Sequence, residues 1–189
     1  MVRAVLLSAA VVTLLFTTGD AVAQTSHSHQ PYAALQSRPV KALSEEQIAD
    51  LRAGRGMGLA LGDQLNGYPG PKHVLENADR LGLSPGQRQR TEALFEAMKA
   101  ETVTLGERLI AQETELDRLF ASKTVTPASL EDATRAIGET QATLRAAHLR
   151  YHLAMMEALT PEQVRRYGEL RGYVGPTPQD HGGHAAPAR

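Results

Sequence analysis

His148, His152 and Met156, set at steps of four, are the side chains in this 189-residue sequence whose types and order could do chemistry. Steps of four keep side chains neighbours along one flank of a helix. Two imidazoles and a thioether in such a row offer donors suited to copper, nickel, cobalt or zinc, with no organic cofactor implied. At 100° per residue, taking Leu144 as zero, His148 falls about 40° from the centre of the apolar seam, His152 about 80° and Met156 about 120°. The row therefore predicts a drift from the core edge towards the surface. Taken singly, His148 reads as a hydrogen-bonded core-edge histidine, His152 as a boundary residue and Met156 as packing, and only the three together point to a metal. Met155 sides with the core.

Other chemistry is poorly represented. His27 and His29 lie near one end and His181 and His184 near the other, in stretches that read as hydrated tails. There is no H-E-x-x-H, no G-x-S-x-G and no cysteine, so no enzyme is expected. Glycines at 54, 56, 58, 62, 67 and 70 lack the Lys-Ser/Thr of a phosphate-cradling loop, and no strand pattern precedes them. They predict a weakly helical connector that wraps against other helices. A net charge of -1 gives no basic excess, and no nucleic-acid partner is expected.

The elements that must position the row are helices. Ser44 with Gln47 forms a capping box, with Leu43 and Ile48 as its hydrophobic staple, and predicts a short helix stopping near Gly54. Another short helix fits from Pro71 to about Leu81, ended by Gly82. Ser84, Pro85 and Gln87 open a long helix to about Ser122, with a seam of Leu94, Met98, Leu105, Leu109, Leu116 and Phe120 at heptad spacing. A turn at Thr126-Pro127 leads to a second long helix from about Ser129 to Ala158. Its seam runs through Leu130, Ile137, Thr140, Leu144, Ala147, Tyr151 and Ala158. Thr160, Pro161 and Gln163 then start a last helix ending near Tyr173. Two heptad-patterned helices joined by a short loop predict an antiparallel hairpin in an all-α fold with short flanking helices. A second apolar stripe through Leu149 and Leu153 needs cover, either from residues 44–81 or from a second copy in a homodimer.

Arg3, an apolar run over residues 4–16 and Ala21-Val22-Ala23 read as a secretory signal cleaved after Ala23, which predicts a periplasmic protein. Without cysteine the exported fold must hold by packing alone. The expected organisation is a signal over residues 1–23, a flexible arm over 24–42, a helical domain over 43–173 and a tail over 174–189.

The pattern Leu-Ser/Thr-x-x-Gln occurs at Leu43–Gln47, Leu83–Gln87 and Leu159–Gln163. The second copy opens the first long helix, and the third opens the short last helix. That arrangement resembles the Spy/CpxP family of periplasmic LTxxQ proteins, which includes a heavy-metal-resistance and metal-sensor branch. The resemblance covers residues 83–173 well and the N-terminal third poorly. It implies a helical hairpin, usually a homodimer, acting as an envelope-stress chaperone for unfolded clients or as a metal-responsive regulator with a membrane signalling partner. The chaperone members are basic cradles, whereas this chain is nearly neutral. In the metal-sensing members His and Met lie on the helix before the last motif, as His148, His152 and Met156 do here before Leu159–Gln163. Those members also draw histidines from an earlier helix, where this sequence offers His73, with Glu76 three residues on.

Overall fold

A computed structural model describes Tyr32 and residues 35–173. The chain divides into two units, Met1–Ala33 and Ala34–Arg189, and the helices described belong to the second. The expected signal segment, His27, His29, His181 and His184 lie outside the described residues. All regular structure among the described residues is helical: α1 (Glu45–Ala53), α2 (Leu61–Leu65), α3 (Pro71–Glu76), α4 (Ala78–Leu81), α5 (Pro85–Ala121), α6 (Pro127–Ala158) and α7 (Pro161–Arg171). None of these helices is long and apolar enough to cross a membrane.

Local chemistry sets the boundaries. Ser44, Ser84 and Thr160 each accept a hydrogen bond from the backbone three residues on, while the glutamine there accepts from the cap's own N–H. Gly54, Gly82 and Gly172 close α1, α4 and α7 in the left-handed conformation, at φ 66°, 64° and 71°. Two boundaries differ from expectation. The helix α6 begins at Pro127, because Thr126 caps it and Ser129 Oγ accepts from the Thr126 N–H at 2.9 Å. A serine in that third position completes the box much as a glutamine does. The single helix expected over 71–81 breaks at Asn77, whose side-chain amide donates to the His73 carbonyl at 2.8 Å and so takes the acceptor its backbone would use.

The long helices α5 and α6 pack as an antiparallel pair. Near its start α5 meets the end of α6 through Gln87, which donates to the Ala158 carbonyl at 3.1 Å. Further along, Arg150 and Tyr151 reach Glu101 at 3.2 and 3.1 Å. The expected seams are buried through their middles, at Met98, Leu105, Leu109, Ile137, Leu144 and Ala147, but Phe120 and Leu130 at the hairpin tip are 53% and 38% exposed. No flanking helix reaches the tip to cover them.

Two apolar clusters result. One gathers Leu51, Leu105, Leu109, Ile137 and Leu144 where α1 lies on the hairpin, and it includes Val40. Val40 is 4% exposed, so packing begins ahead of residue 43, inside the stretch expected to be a flexible arm. Here α1 approaches α5 so closely that a Cβ on Gly106 would come within 2.6 Å of the Leu51 carbonyl oxygen. The other cluster gathers Val74, Leu81, Met155, Leu159 and Tyr167 where α3, α4 and α7 meet the end of α6. Each fully buried side chain of this size stabilises the fold by about 1.5–3 kcal/mol. Along the second stripe Leu149 is half-buried, whereas Leu153 stays uncovered by residues 44–81 and is 57% exposed. Those residues lie over a different flank of α6, the one that carries the histidines.

Candidate metal centre and the glutamine clasp

His148 and His152 project from α6 into the gap between the two clusters, where the glycine connector closes over them. They are 3% and 4% exposed. Gly56 packs on the His148 ring, and Gly70 packs on the His152 ring so tightly that a Cβ there would stand 2.8 Å from Nε2. Gly70 has φ of -88°, so glycine is needed for the close approach and not for its backbone conformation. The helical wheel placed His152 at the boundary, but the connector buries it. Met156 follows the expected drift and is 37% exposed.

The surroundings of His152 fix its ring. Nδ1 hydrogen-bonds the Tyr68 carbonyl at 3.1 Å, so it carries the proton and Nε2 keeps its lone pair. Asp63 Oδ2 is 2.8 Å from the same nitrogen but outside hydrogen-bonding alignment, and both Asp63 carboxylate oxygens are buried without a hydrogen-bond partner. The contact is therefore one of charge proximity. His148 Nε2 is likewise buried with no partner. A buried polar atom without a partner costs about 1–3 kcal/mol. Burial lowers both histidine pKa values below the ordinary imidazole range; His152 adds to the lowering at His148, and His73 adds to it at His152, while Asp63 opposes it at both. Both rings are thus neutral at pH 7, the form a metal requires.

A cleft of about 680 Å3 lies over this floor, with His148, His152 and His73 in its lining and Met156 outside it. The earlier-helix histidine implied by the resemblance is therefore brought to the same cleft, where it pairs with Glu76 at 2.8 Å. Among the described residues no three His, Asp or Glu side chains are grouped closely enough to hold an ion unaided. The donors that are present do fit a borderline transition ion. They are neutral imidazoles, one of them oriented through its second nitrogen, beside a carboxylate with unspent oxygens. Asp63 is the residue that reading the sequence missed. Its signal was available, since it is the only acidic residue between Gly54 and Gly70.

At the end of α6 a second polar cluster has the opposite character. Gln87 and Gln163, from the second and third Leu-Ser/Thr-x-x-Gln motifs, bond each other reciprocally, Nε2 to Oε1 at 2.8 and 3.1 Å. Each Oε1 also accepts from its own cap N–H, Ser84 at 3.1 Å and Thr160 at 2.9 Å. Gln163 reaches further to the Leu81 carbonyl at 3.4 Å. Only an amide can accept at one atom and donate at the other, so glutamate would cap each helix but could not form this clasp. Gln47, in the first motif, completes its own capping box and takes no part in the clasp.

Neither the curated proteins nor the solved structures contain a significant match to this chain. The family model for heavy-metal resistance matches residues 57–166, more than half of the sequence, and begins within the glycine connector. With the hairpin, the clasped motifs and the histidine cleft all inside or beside that span, the chain belongs to the heavy-metal-resistance family of Spy/CpxP-like periplasmic proteins.

Proposed function

We propose that this is a periplasmic, non-enzymatic metal-binding protein whose ion is held by His148 and His152, with Met156 as a further, softer donor. A heavy-metal-resistance role follows from the family, which is not an enzyme family and whose members are typically secreted or periplasmic. The observation that carries the finer reading is the set of buried, unpartnered atoms, His148 Nε2 and both Asp63 oxygens, around one neutral imidazole pair. A divalent copper, nickel, cobalt or zinc ion would accept the imidazole lone pairs, and Asp63 on the Nδ1 side would stabilise the added positive charge through the His152 ring. The Tyr68 carbonyl holds the His152 proton on Nδ1, and Gly70 limits how the ring can turn. Asp63 on α2 and the Tyr68 carbonyl both lie against His152 Nδ1, so an ion on the α6 imidazoles is tied to the connector through the His152 ring. That coupling is the basis for sensing.

Calorimetric titration of the mature chain with the four ions tests this. His148→Ala with His152→Ala should abolish tight binding at one site per chain without loss of helicity, since both changes favour helix. Alanine at His27, His29, His181 and His184 should leave binding in place. The reverse pattern would mean a loose histidine tail. Met156→Leu separates the thioether, with loss expected for copper before zinc.

The alternative is an ATP-independent chaperone, favoured by an apolar groove of about 530 Å3 beside α1, lined by Leu43, Leu51, Met57, Leu59, Leu109 and Leu144. It predicts that the double histidine variant still suppresses aggregation of an unfolded client. A homodimer through Leu149 and Leu153 belongs to either reading. Leu153→Asp should then halve the mass seen by light scattering.

A further inference from the structure

The charged side chains that line the cleft are all of one sign. Arg52 on α1, Arg55 just beyond it, Lys72 on α3 and Lys99 on α5 face it, and no aspartate or glutamate does. Three of these cations are braced from outside the lining: Arg52 Nε meets Glu107 at 3.1 Å, Arg55 Nε meets Asp50, and Lys72 meets Glu76 at 2.6 Å. The braces hold the side chains in place and leave the lining cationic. Both arginines engage through Nε, and their terminal nitrogens have no partner among the described residues. A guanidinium with that end free can still grip a carboxylate or sulfonate. Lys99 has no carboxylate partner among the described residues, so once the braces are counted it is the cation left in excess. Charges of one sign around a concave surface with low-dielectric walls focus their field on it, and here that field favours an anion. Between the cations the wall is apolar, formed by buried Met98 and Pro71 and half-buried Phe95. The volume of about 680 Å3 is far more than an inorganic oxyanion fills and suits an organic molecule.

We propose that the cleft binds a small amphiphilic organic acid, its carboxylate or sulfonate held by Lys99 and the free arginine ends and its apolar body laid against Phe95 and Met98. Binding of this kind needs no ion on the imidazoles and is independent of the metal reading. A simple anion would satisfy the cations but leave the apolar wall bare, and a neutral apolar molecule would leave Lys99 without a counter-charge.

Two fluorescent probes that differ by a single group test this. Anilinonaphthalene sulfonate carries both head and body, and phenylnaphthylamine is the same body without the head. Each is titrated into the mature chain, free of added metal, at low ionic strength. The sulfonate should bind at one site per chain, about tenfold or more tightly than the amine. Sodium decanoate should displace it, whereas sodium sulfate should weaken it only as much as sodium chloride of the same ionic strength does. Lys99→Glu should weaken the sulfonate about tenfold or more, and Lys99→Gln by less. Ala142→Glu places a carboxylate in the apolar groove beside α1 and should leave binding unchanged. All three replacements are good helix formers, and circular dichroism checks that the variants remain helical. An amphiphile site in the cleft is ruled out if the amine binds as tightly as the sulfonate, if Lys99→Glu has no effect, or if Ala142→Glu removes the binding. It is ruled out as well if sulfate displaces the probe as effectively as decanoate, which would mean a simple anion site, or if the sulfonate does not bind.

Discussion

Two polar regions lie along α6, a half-buried one at its end and a buried one a few turns back, and they are built on opposite terms. In the glutamine clasp the reciprocal amides, the two cap N–H groups and the Ala158 carbonyl are all matched. In the histidine cleft a ring nitrogen and a whole carboxylate are left without hydrogen bonds. Polar burial that is fully matched rigidifies a joint, whereas unmatched burial is a cost carried for some other purpose. The clasp explains why the hairpin, α4 and α7 meet at one place. The cleft is where a ligand has something to gain.

Mutations should separate the two regions. The largest expected loss of stability is from Gln163→Ala, which strips a cap and leaves Gln87 and the Leu81 carbonyl short of a partner. Denaturant unfolding should show about 2–3 kcal/mol less stability, with metal affinity retained. Gln163→Glu should recover the cap but not the clasp, and fall between the two. Gly70→Ala acts on the cleft alone, because its methyl would press on His152 Nε2. About 1–3 kcal/mol should be lost, together with metal affinity, since the same contact occupies the lone pair's side of the ring.

The pH dependence should belong to the cleft and be absent from the clasp. The folded pKa values of His148 and His152 lie below the unfolded value of about 6.5, so the unfolded chain binds more protons in that interval. Their contribution is present above pH 6.5 and is lost as pH falls below it towards the folded values. Thermal melts between pH 7 and 5 should show this slope in the native protein and a shallower one in His148→Ala with His152→Ala. The smallest effect is expected at the hairpin tip. Phe120→Ser should change stability by about 0.5 kcal/mol or less, because the ring is already 53% exposed.

The helices were legible because capping is local chemistry. Ser44, Ser84 and Thr160 declare three starts, and Gly54 and Gly82 two stops, within a few residues of sequence. What periodicity carries is the relation among side chains on one helix, and it says nothing of which segment lies across them. His152 at about 80° from the seam was assigned to a boundary, and the connector buried it. For the same reason the pairing of Gln87 with Gln163, 76 residues apart, was invisible although each glutamine was read correctly as a cap. The approach of Asp63 to His152 is set by the path of the glycine connector, which no local periodicity encodes.

The long hairpin has a mechanical corollary. With 37 residues, α5 extends about 55 Å at 1.5 Å per residue, anchored at the clasp and bare at Phe120 and Leu130. A pivot of about 10° at the anchored end sweeps the far end through about 10 Å, by the geometry of a rod of that length. The histidine cleft sits close to the fulcrum. Small rearrangements there are magnified along the arm, so a probe on Phe120 would register them more sensitively than one beside the histidines.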